Sequence, residues 1–316
     1  MFLTKPDTST NLASQESSRT MLAFAYALSN EHDVLVATIS SEETVSDQDE
    51  PFRRVSLASP ADVQDAIAHH AIDVVALHED FPMLAHLASA VLLYLSEPPT
   101  IAASSALSLA SEILAPSPLM AQALADRSLR SDITSVPPPG VVNSTTSQPK
   151  HRSTLLVTDG EEESEVIDAC TLLRRHHVET ALTIVMPNNK KTQALRDFAT
   201  ATPGVCVSEP PSSLSDWSKL FSTHEVLLVP ALGASCPVWS VAQQVSLGKQ
   251  VVGYAHPGLS HLEPSLASLV SPGDLRALAL ALDAALDSKA HSVQTSALGA
   301  FDPARLYEDL LVKVCR

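Results

Sequence analysis

Residues 226–254 read VLLVPALGASCPVWSVAQQVSLGKQVVGY, and this stretch decides the fold. It begins with an apolar run of strand length, and residues 250–254 form a second run of the same kind. Between them, residues 238–247 have the apolar spacing of a helix, which Gly248 is suited to end because glycine adopts a left-handed C-cap without strain. A strand, a helix and a strand in this order predict a βαβ unit and therefore a parallel sheet.

The same alternation recurs on both sides of a segment rich in proline, serine and threonine, PPPGVVNSTTSQPKHR at 137–152. This composition without periodicity indicates a linker. The sequence therefore predicts an α/β fold of two doubly wound, Rossmann-like domains. We place an N-terminal domain at 1–136, the linker at 137–152, a C-terminal domain at 153–290 and a tail helix at 291–316.

The longest apolar run is MLAHLASAVLLYL at 83–95. It is too short to span a bilayer, and we expect a buried helix there. The first residues lack the basic segment and apolar stretch of a signal peptide. Four cysteines stand far apart, without a C-x-x-C pair, as is typical of buried thiols in a reducing compartment. These features predict a cytoplasmic protein with no membrane span.

The balance of charge limits the classes of partner that we expect. The sequence has 20 basic and 36 acidic residues, which gives a net charge of −16. Such a surface repels phosphate backbones and anionic headgroups, so we expect neither nucleic acid nor a membrane as the main partner. It is also unusual for an ordinary nucleotide-sugar enzyme, which must be locally basic around a diphosphate.

Five short strings are informative together: HDVLV at 32–36, DVVALH at 73–78, VP at 229–230, GKQVV at 248–252 and VSPGDLRAL at 270–278. In their order and spacing they resemble family 4 glycosyltransferases, and the resemblance extends over almost the whole chain. It implies the GT-B architecture, in which two Rossmann-like domains face a cleft. It also implies a donor such as a UDP- or GDP-sugar.

The resemblance locates a donor site whose charges have changed. Asp159 stands where the family has an arginine that neutralises the leaving diphosphate, and Ser235 and Gln243 stand at its two glutamates. Gln243 could still hydrogen-bond ribose hydroxyls, because its amide offers a donor and an acceptor. Ser235 keeps a hydroxyl but is too short to reach what a glutamate reaches. Both are candidate donor-binding residues, but we expect no cofactor, with residual binding of a nucleotide-sugar donor as the alternative.

An acidic cluster follows the first strand of the second half. Asp159 is followed by Glu161, Glu162 and Glu163, and four carboxylates at short range would repel a diphosphate. They either hold a divalent metal or form an acidic turn that favours the next helix N-terminus. We expect the acidic turn and no metal.

The loop at 5–18 contains no glycine, so its backbone cannot approach a phosphate closely. Its serines either bind an anion, with Lys5 or Arg19 supplying charge, or cap the following helix.

His78 ends the DVVALH string, at the carboxyl end of a predicted strand, where ligands of open α/β sheets bind. It is either a general base or an acceptor contact, or else a structural histidine with satisfied hydrogen bonds. Beyond this candidate the catalytic residues are unknown.

These features lead to three functional hypotheses. The first is a degenerate glycosyltransferase, a pseudoenzyme kept as a binding subunit or partner of an active glycosyltransferase, or as a homo-oligomer. The second is a divergent but active retaining glycosyltransferase that uses other cations, such as Lys5, Arg19 and Lys249. The third is a two-domain protein that binds a small molecule and has no relation to sugar transfer.

Overall fold

The computed structural model describes most of the chain as two compact units. The described residues are 1–4, 12–40, 50–78, 90–95, 107, 110–127, 130, 132–140, 152–158, 163–176, 181–187, 192–211, 213–230, 237–262, 264–287 and 303–314. The boundary between the units falls after Pro139, and the last helix returns to the first unit. Within the described part, no helix has both the length and the apolar character needed to cross a membrane.

The first unit is built on a seven-stranded sheet with the order β3-β2-β1-β4-β5-β6-β7, in which every pairing is parallel. The strands are β1 (Phe2–Thr4), β2 (Leu35–Ile39), β3 (Arg53–Leu57), β4 (Val74–His78), β5 (Ala90–Tyr94), β6 (Glu112–Ala115) and β7 (Ile133–Ser135). The described helices of this unit are α1 (Leu12–Leu28), α2 (Asp62–His70), α3 (Pro118–Arg127) and, at the end of the chain, α9 (Pro303–Val314).

Both faces of this sheet are covered, as a parallel sheet requires. On one face, Val63 of α2 and Leu124 of α3 join strand residues such as Leu93 in a single buried cluster. The aromatic contacts connect α1 and α9 to the strands: the ring of Tyr307 lies 4.4 Å from that of Phe24 and 6.0 Å from that of Phe2. The last helix is therefore part of this unit's core.

The second unit has a six-stranded parallel sheet with the order β10-β9-β8-β11-β12-β13. The strands are β8 (Ser153–Val157), β9 (Ala181–Val185), β10 (Val205–Ser208), β11 (Val226–Val229), β12 (Gln250–Tyr254) and β13 (Ala267–Val270). The described helices are α4 (Glu163–His176), α5 (Gln193–Ala201), α6 (Leu214–Ser222), α7 (Val238–Ser246) and α8 (Leu275–Asp287), and a single 3-10 turn spans Pro257–Leu259.

Large apolar side chains fill this unit as well. Leu278 and Leu282 of α8 join α4 and the central strands in one buried cluster. Trp217 of α6 and Trp239 of α7 are fully buried, with ring centroids 6.1 Å apart in an edge-to-face arrangement. Offset and edge-to-face aromatic pairs of this kind stabilise beyond the area that they bury.

The two-sheet α/β prediction is confirmed, and one local prediction is wrong. The run 83–95 was expected to form a buried helix, but Ala90–Tyr94 is strand β5, paired in parallel with β4. Residues 83–89 lie outside the described part of the chain. Strands β3, β10 and β13 and helix α6 were not predicted. The linker prediction covers residues of which 141–151 are likewise not described.

Gly253 provides a test of the second sheet. A Cβ atom at this position would lie 2.4 Å from the backbone oxygen of Val229 on the neighbouring strand. Because backbone atoms cannot move aside cheaply, we expect Gly253→Ala to lower the free energy of unfolding by about 2 kcal/mol. Urea unfolding measures the change. Gly258→Ala is the control, because the nearest atom there is a side-chain nitrogen of His256 at 3.2 Å, and an equal loss in both variants would contradict the prediction.

Candidate functional site

Strand order locates the candidate site in each unit. In the first sheet the order reverses between β1 and β4, and in the second it reverses between β8 and β11. Open parallel sheets bind ligands outside the carboxyl ends of the strands at such a switch point. The carboxyl ends are Thr4 and His78 in the first unit, and Val157 and Val229 in the second.

Three residues that the sequence singles out follow these strand ends. Lys5, Asp159 and Ser235 lie outside the described residues, as do Glu161 and Glu162. Their roles therefore stay predictions.

His78 is the last residue of β4 and is paired with Tyr94 of β5. Its backbone is therefore at the carboxyl edge of the sheet, as the sequence indicated. Its side chain lies outside what the structure describes, and the role as base, acceptor contact or structural residue stays a prediction.

Gln243 lies in the interior of the second unit. Its side chain is on α7, has no exposed surface, and its Nε2 atom lies 3.5 Å from Oγ of Ser218 on α6. Trp239, one turn earlier on α7, faces the same helix through Trp217. The amide is therefore held between two helices, and a contact with a ribose stays a prediction.

Glu163, the first residue of α4, bonds to the neighbouring helix. Its Oε1 atom accepts a hydrogen bond of 2.9 Å from the backbone N–H of Leu195, in the first turn of α5. A carboxylate there satisfies a helix N-H group and complements the positive end of the helix dipole. Of the four carboxylates, this one therefore has a structural partner.

Lys249 stands at the opposite edge of the sheet from the candidate site, directly before the first residue of β12. Its Nζ atom donates to the backbone oxygens of Phe221 (2.9 Å), Ser222 (2.5 Å) and His224 (2.6 Å) at the C-terminus of α6. Burial lowers the pKa of this ammonium to about 8, and Glu225 opposes that shift. Lys249 therefore caps a helix, and the hypothesis that it serves as a substitute cation for a phosphate is wrong for this geometry.

Arg19 is also held in the interior. It is 3% exposed, and its Nη1 atom lies 3.2 Å from Oε1 of Glu16, three residues earlier on α1. A guanidinium paired with a buried carboxylate has much of its charge compensated within its own helix. This contact supports a structural role for Arg19.

The segment after β12 adds two histidines that the sequence analysis missed. Nδ1 of His256 accepts a 3.0 Å hydrogen bond from the backbone N–H of Gly258, so the neutral ring carries its proton on Nε2. A Cβ atom on Gly258 would lie 3.5 Å from Val238, so this turn packs on the start of α7. His256 is half-buried and follows the carboxyl end of β12, at the same edge as the switch point.

His261 lies in the same segment. Its Nδ1 atom is buried and has no hydrogen-bond partner within the described residues. Burial lowers the pKa of its imidazole from 6.5 to about 4, against a smaller opposing effect of a hydrogen bond with the backbone of Gly258. A histidine in a turn is not part of a helix or strand period, so the sequence pattern did not single out His256 or His261. It predicted only β12, the strand that precedes them.

Arg196 on α5 brings a positive charge to the same edge. Its Nη2 atom lies 3.4 Å from the backbone oxygen of Pro187, two residues beyond β9. Its Nε atom is buried and makes no hydrogen bond within the described residues. Because β9 is the neighbour of β8, this guanidinium is one strand away from the switch point.

No protein-family model matches this sequence, and no curated protein matches it. Among solved structures it is similar to HepE from Anabaena in complex with UDP and glucose, at 14% identity and a TM-score of 0.69, over 99% of this chain and 98% of that one. A glycosyltransferase from Rickettsia africae matches at 12% identity and a TM-score of 0.66, over 100% and 98%. The fold of this chain is GT-B.

Other GT-B-like structures match as well. UDP-GlcNAc 2-epimerase from Neisseria meningitidis, bound to UDP-GlcNAc, matches at 12% identity and a TM-score of 0.61, over 99% of this chain and 100% of that one. The chain spans about half, 55%, of the length of the TarM structure from S. aureus, with which it shares 6% identity.

In this GT-B chain, none of the described residues that directly follow the six strands of the second sheet is lysine or arginine. They are Thr158 after β8, Met186 and Pro187 after β9, Glu209 after β10, Pro230 after β11, Ala255 and His256 after β12, and Ser271 after β13. Lys190 and Lys191, in the segment after β9, lie outside the described residues.

The cap at Lys249 can be tested by substitution. Lys249→Met keeps the aliphatic stem but leaves three backbone oxygens without their shared donor, and we expect the free energy of unfolding to fall by about 2 kcal/mol. Lys219→Met is the matched control. Lys219 lies on α6, the helix that Lys249 caps, and forms an exposed ion pair with Asp216. Loss of such a pair costs about 0.5 kcal/mol. Equal losses in urea unfolding would contradict the cap.

His261 predicts a dependence on pH. Between about pH 4 and 6.5 the unfolded state binds a proton that the folded imidazole does not, so its contribution to stability is complete above 6.5 and is lost as the pH falls. The total is about 3 kcal/mol. We expect His261→Leu to lose less stability between neutral and acidic pH than the parent protein does, as measured by urea unfolding. His69→Leu, at an exposed position on α2, is the control, and a parental slope in His261→Leu would refute the assignment.

Proposed function

We propose that this chain is a GT-B protein of the nucleotide-sugar type that has lost sugar transfer and acts as a binding or partner subunit. One observation carries the proposal. The described residues that directly follow the six strands of the second sheet include no lysine or arginine, and Arg196 of α5 brings one guanidinium to this edge, where a leaving diphosphate would have to be neutralised. Preorganised positive charge at the developing negative charge is the largest single contribution to such a transfer, so its loss removes catalysis before it removes the fold.

Residual nucleotide binding is part of the proposal. HepE was solved with UDP and glucose and the epimerase with UDP-GlcNAc, which favours a uridine diphosphate as the ligand to test first. In this chain, Arg196 is the cation that would contact the diphosphate, from α5. A single guanidinium supports weak binding and little stabilisation of a leaving phosphate.

The alternative is a divergent, active retaining glycosyltransferase. Of the three cations that it invoked, Lys249 caps α6 and Arg19 is paired with Glu16. These contacts weigh against the alternative. Measured transfer of sugar from a nucleotide donor would restore it.

The partner role follows from what the chain retains. Both units have buried apolar clusters among their described residues, while the resemblance places Asp159, Ser235 and Gln243 where the family has an arginine and two glutamates. Stability without catalysis implies that a surface or a bound ligand matters. Light scattering tests this part directly: a strictly monomeric protein that forms no complex with a co-expressed active glycosyltransferase would contradict it.

We expect UDP to bind with a dissociation constant of about 1 mM, because Arg196 is the one cation that the described residues bring to this edge. Isothermal titration of the full chain with UDP, GDP and UDP-glucose measures this affinity. A coupled assay for release of UDP measures turnover, and we expect none. Arg196→Met should weaken UDP binding about tenfold.

Arg175→Met is the matched control, since Arg175 is an exposed arginine near the C-terminus of α4, at the other edge of the sheet. Release of UDP that is abolished in Arg196→Met would establish an enzyme and overturn the proposal. If no nucleotide binds, the binding part fails and the partner part is tested alone.

A further inference from the structure

A cavity of about 540 Å³ lies in the first unit at the amino-terminal edge of its sheet. Its apolar lining includes Phe2 of β1, Leu28 of α1, Val74 of β4, and Leu311 and Val312 of α9. The volume is in the range of pockets that hold small organic ligands. The cavity is at the opposite edge of the sheet from the switch point, so it does not belong to the candidate site above.

The fixed charges around this cavity are unequal. Arg53 and Asp33 both line it, and they neutralise each other through a 2.9 Å contact. Asp73 also lines it, and no lysine or arginine of the described chain forms an ion pair with this carboxylate. Beyond the lining, Oε1 of Glu308 lies 3.5 Å from Nε2 of His32. Asp73 therefore remains as the carboxylate of the described lining that no lysine or arginine pairs with, and Glu308 faces a histidine.

One further feature makes the cavity more negative, and a second leaves a nearby amino group uncharged. His70 and Ala71, which line it, form the C-terminus of α2, and that end of a helix carries partial negative charge. Burial also lowers the pKa of the Met1 amino group to about 5, although Asp73 opposes this, so the amino group adds no positive charge near neutral pH.

We propose that this cavity binds an organic cation, an amine with an apolar body such as a phenyl ring. The apolar body would contact the wall formed by Phe2, Leu28 and Leu311, and the ammonium would lie at the rim near Asp73. Charge complementarity selects the cation over an anion of the same shape, since Coulomb attraction at the partly screened rim changes sign with the ligand. The proposal is independent of nucleotide binding in the second unit.

Three probes of matched size test the charge: phenethylamine, phenylacetate and phenethyl alcohol. We expect titration of the full chain to show phenethylamine bound about tenfold more tightly than phenylacetate, with the neutral alcohol between them. Asp73→Asn should remove most of this preference without changing the affinity for the alcohol.

A second variant tests the location. Val312 is 45% exposed at the cavity, so Val312→Trp can place an indole over the pocket without replacing a core residue. We expect it to weaken phenethylamine binding at least about tenfold. Leu280→Trp is the matched control, since Leu280 is 60% exposed on α8 of the second unit.

Phenylacetate binding as tight as that of the amine would overturn the choice of a cation. Equal affinities in Val312→Trp and Leu280→Trp would overturn the location. Absence of binding by all three probes at millimolar concentration would overturn the site itself. Because none of these probes is a nucleotide, failure here leaves the proposal for the second unit unaffected.

Discussion

Parallel pairing of the strands is the constraint on which the other features of this protein depend. Every pairing in the two sheets is parallel, so each sheet collects all its carboxyl ends at one edge and all its amino ends at the other. The residues before and after a strand are therefore on opposite sides of a unit, even when they are close in sequence. Lys249 and His256 are seven positions apart and flank β12 at its two ends. Only His256 is at the edge where the order of strands reverses.

Because the two edges of the second sheet are separated, the charged side chains at each edge meet different backbone groups. At the carboxyl edge of the second sheet, Glu163 satisfies a helix N-terminus and Arg196 approaches a backbone oxygen. At the amino edge, Lys249 satisfies a helix C-terminus. Glu163 and Lys249 each meet a helix end of the opposite partial charge, which stabilises the helix without needing a ligand. A chain that uses its charges in this way has fewer of them available to neutralise a diphosphate.

The sequence was sufficient to predict the architecture, because apolar runs of strand length that alternate with segments of helical period are typical of βαβ units. It failed where the pattern is ambiguous. In the run 83–95 all residues except His86 and Ser89 are apolar, so period alone cannot distinguish a strand from a helix, and Ala90–Tyr94 is a strand. Strand β3 was missed for the opposite reason: Arg53 and Arg54 begin it, and an edge strand needs few apolar residues.

The candidate site was less predictable because it depends on contacts between distant residues. Alignment to a family motif places Gln243 at a ligand position, but only packing shows that its amide faces Ser218. Likewise, a lysine next to a strand offers no sign of which carbonyls it will cap. His256 depends on a bond within its own turn, which fixes the tautomer and leaves Nε2 as the donor. A sequence motif therefore identifies the strands that position a site, whereas the charge that the site presents is decided by which side chains the fold has already engaged.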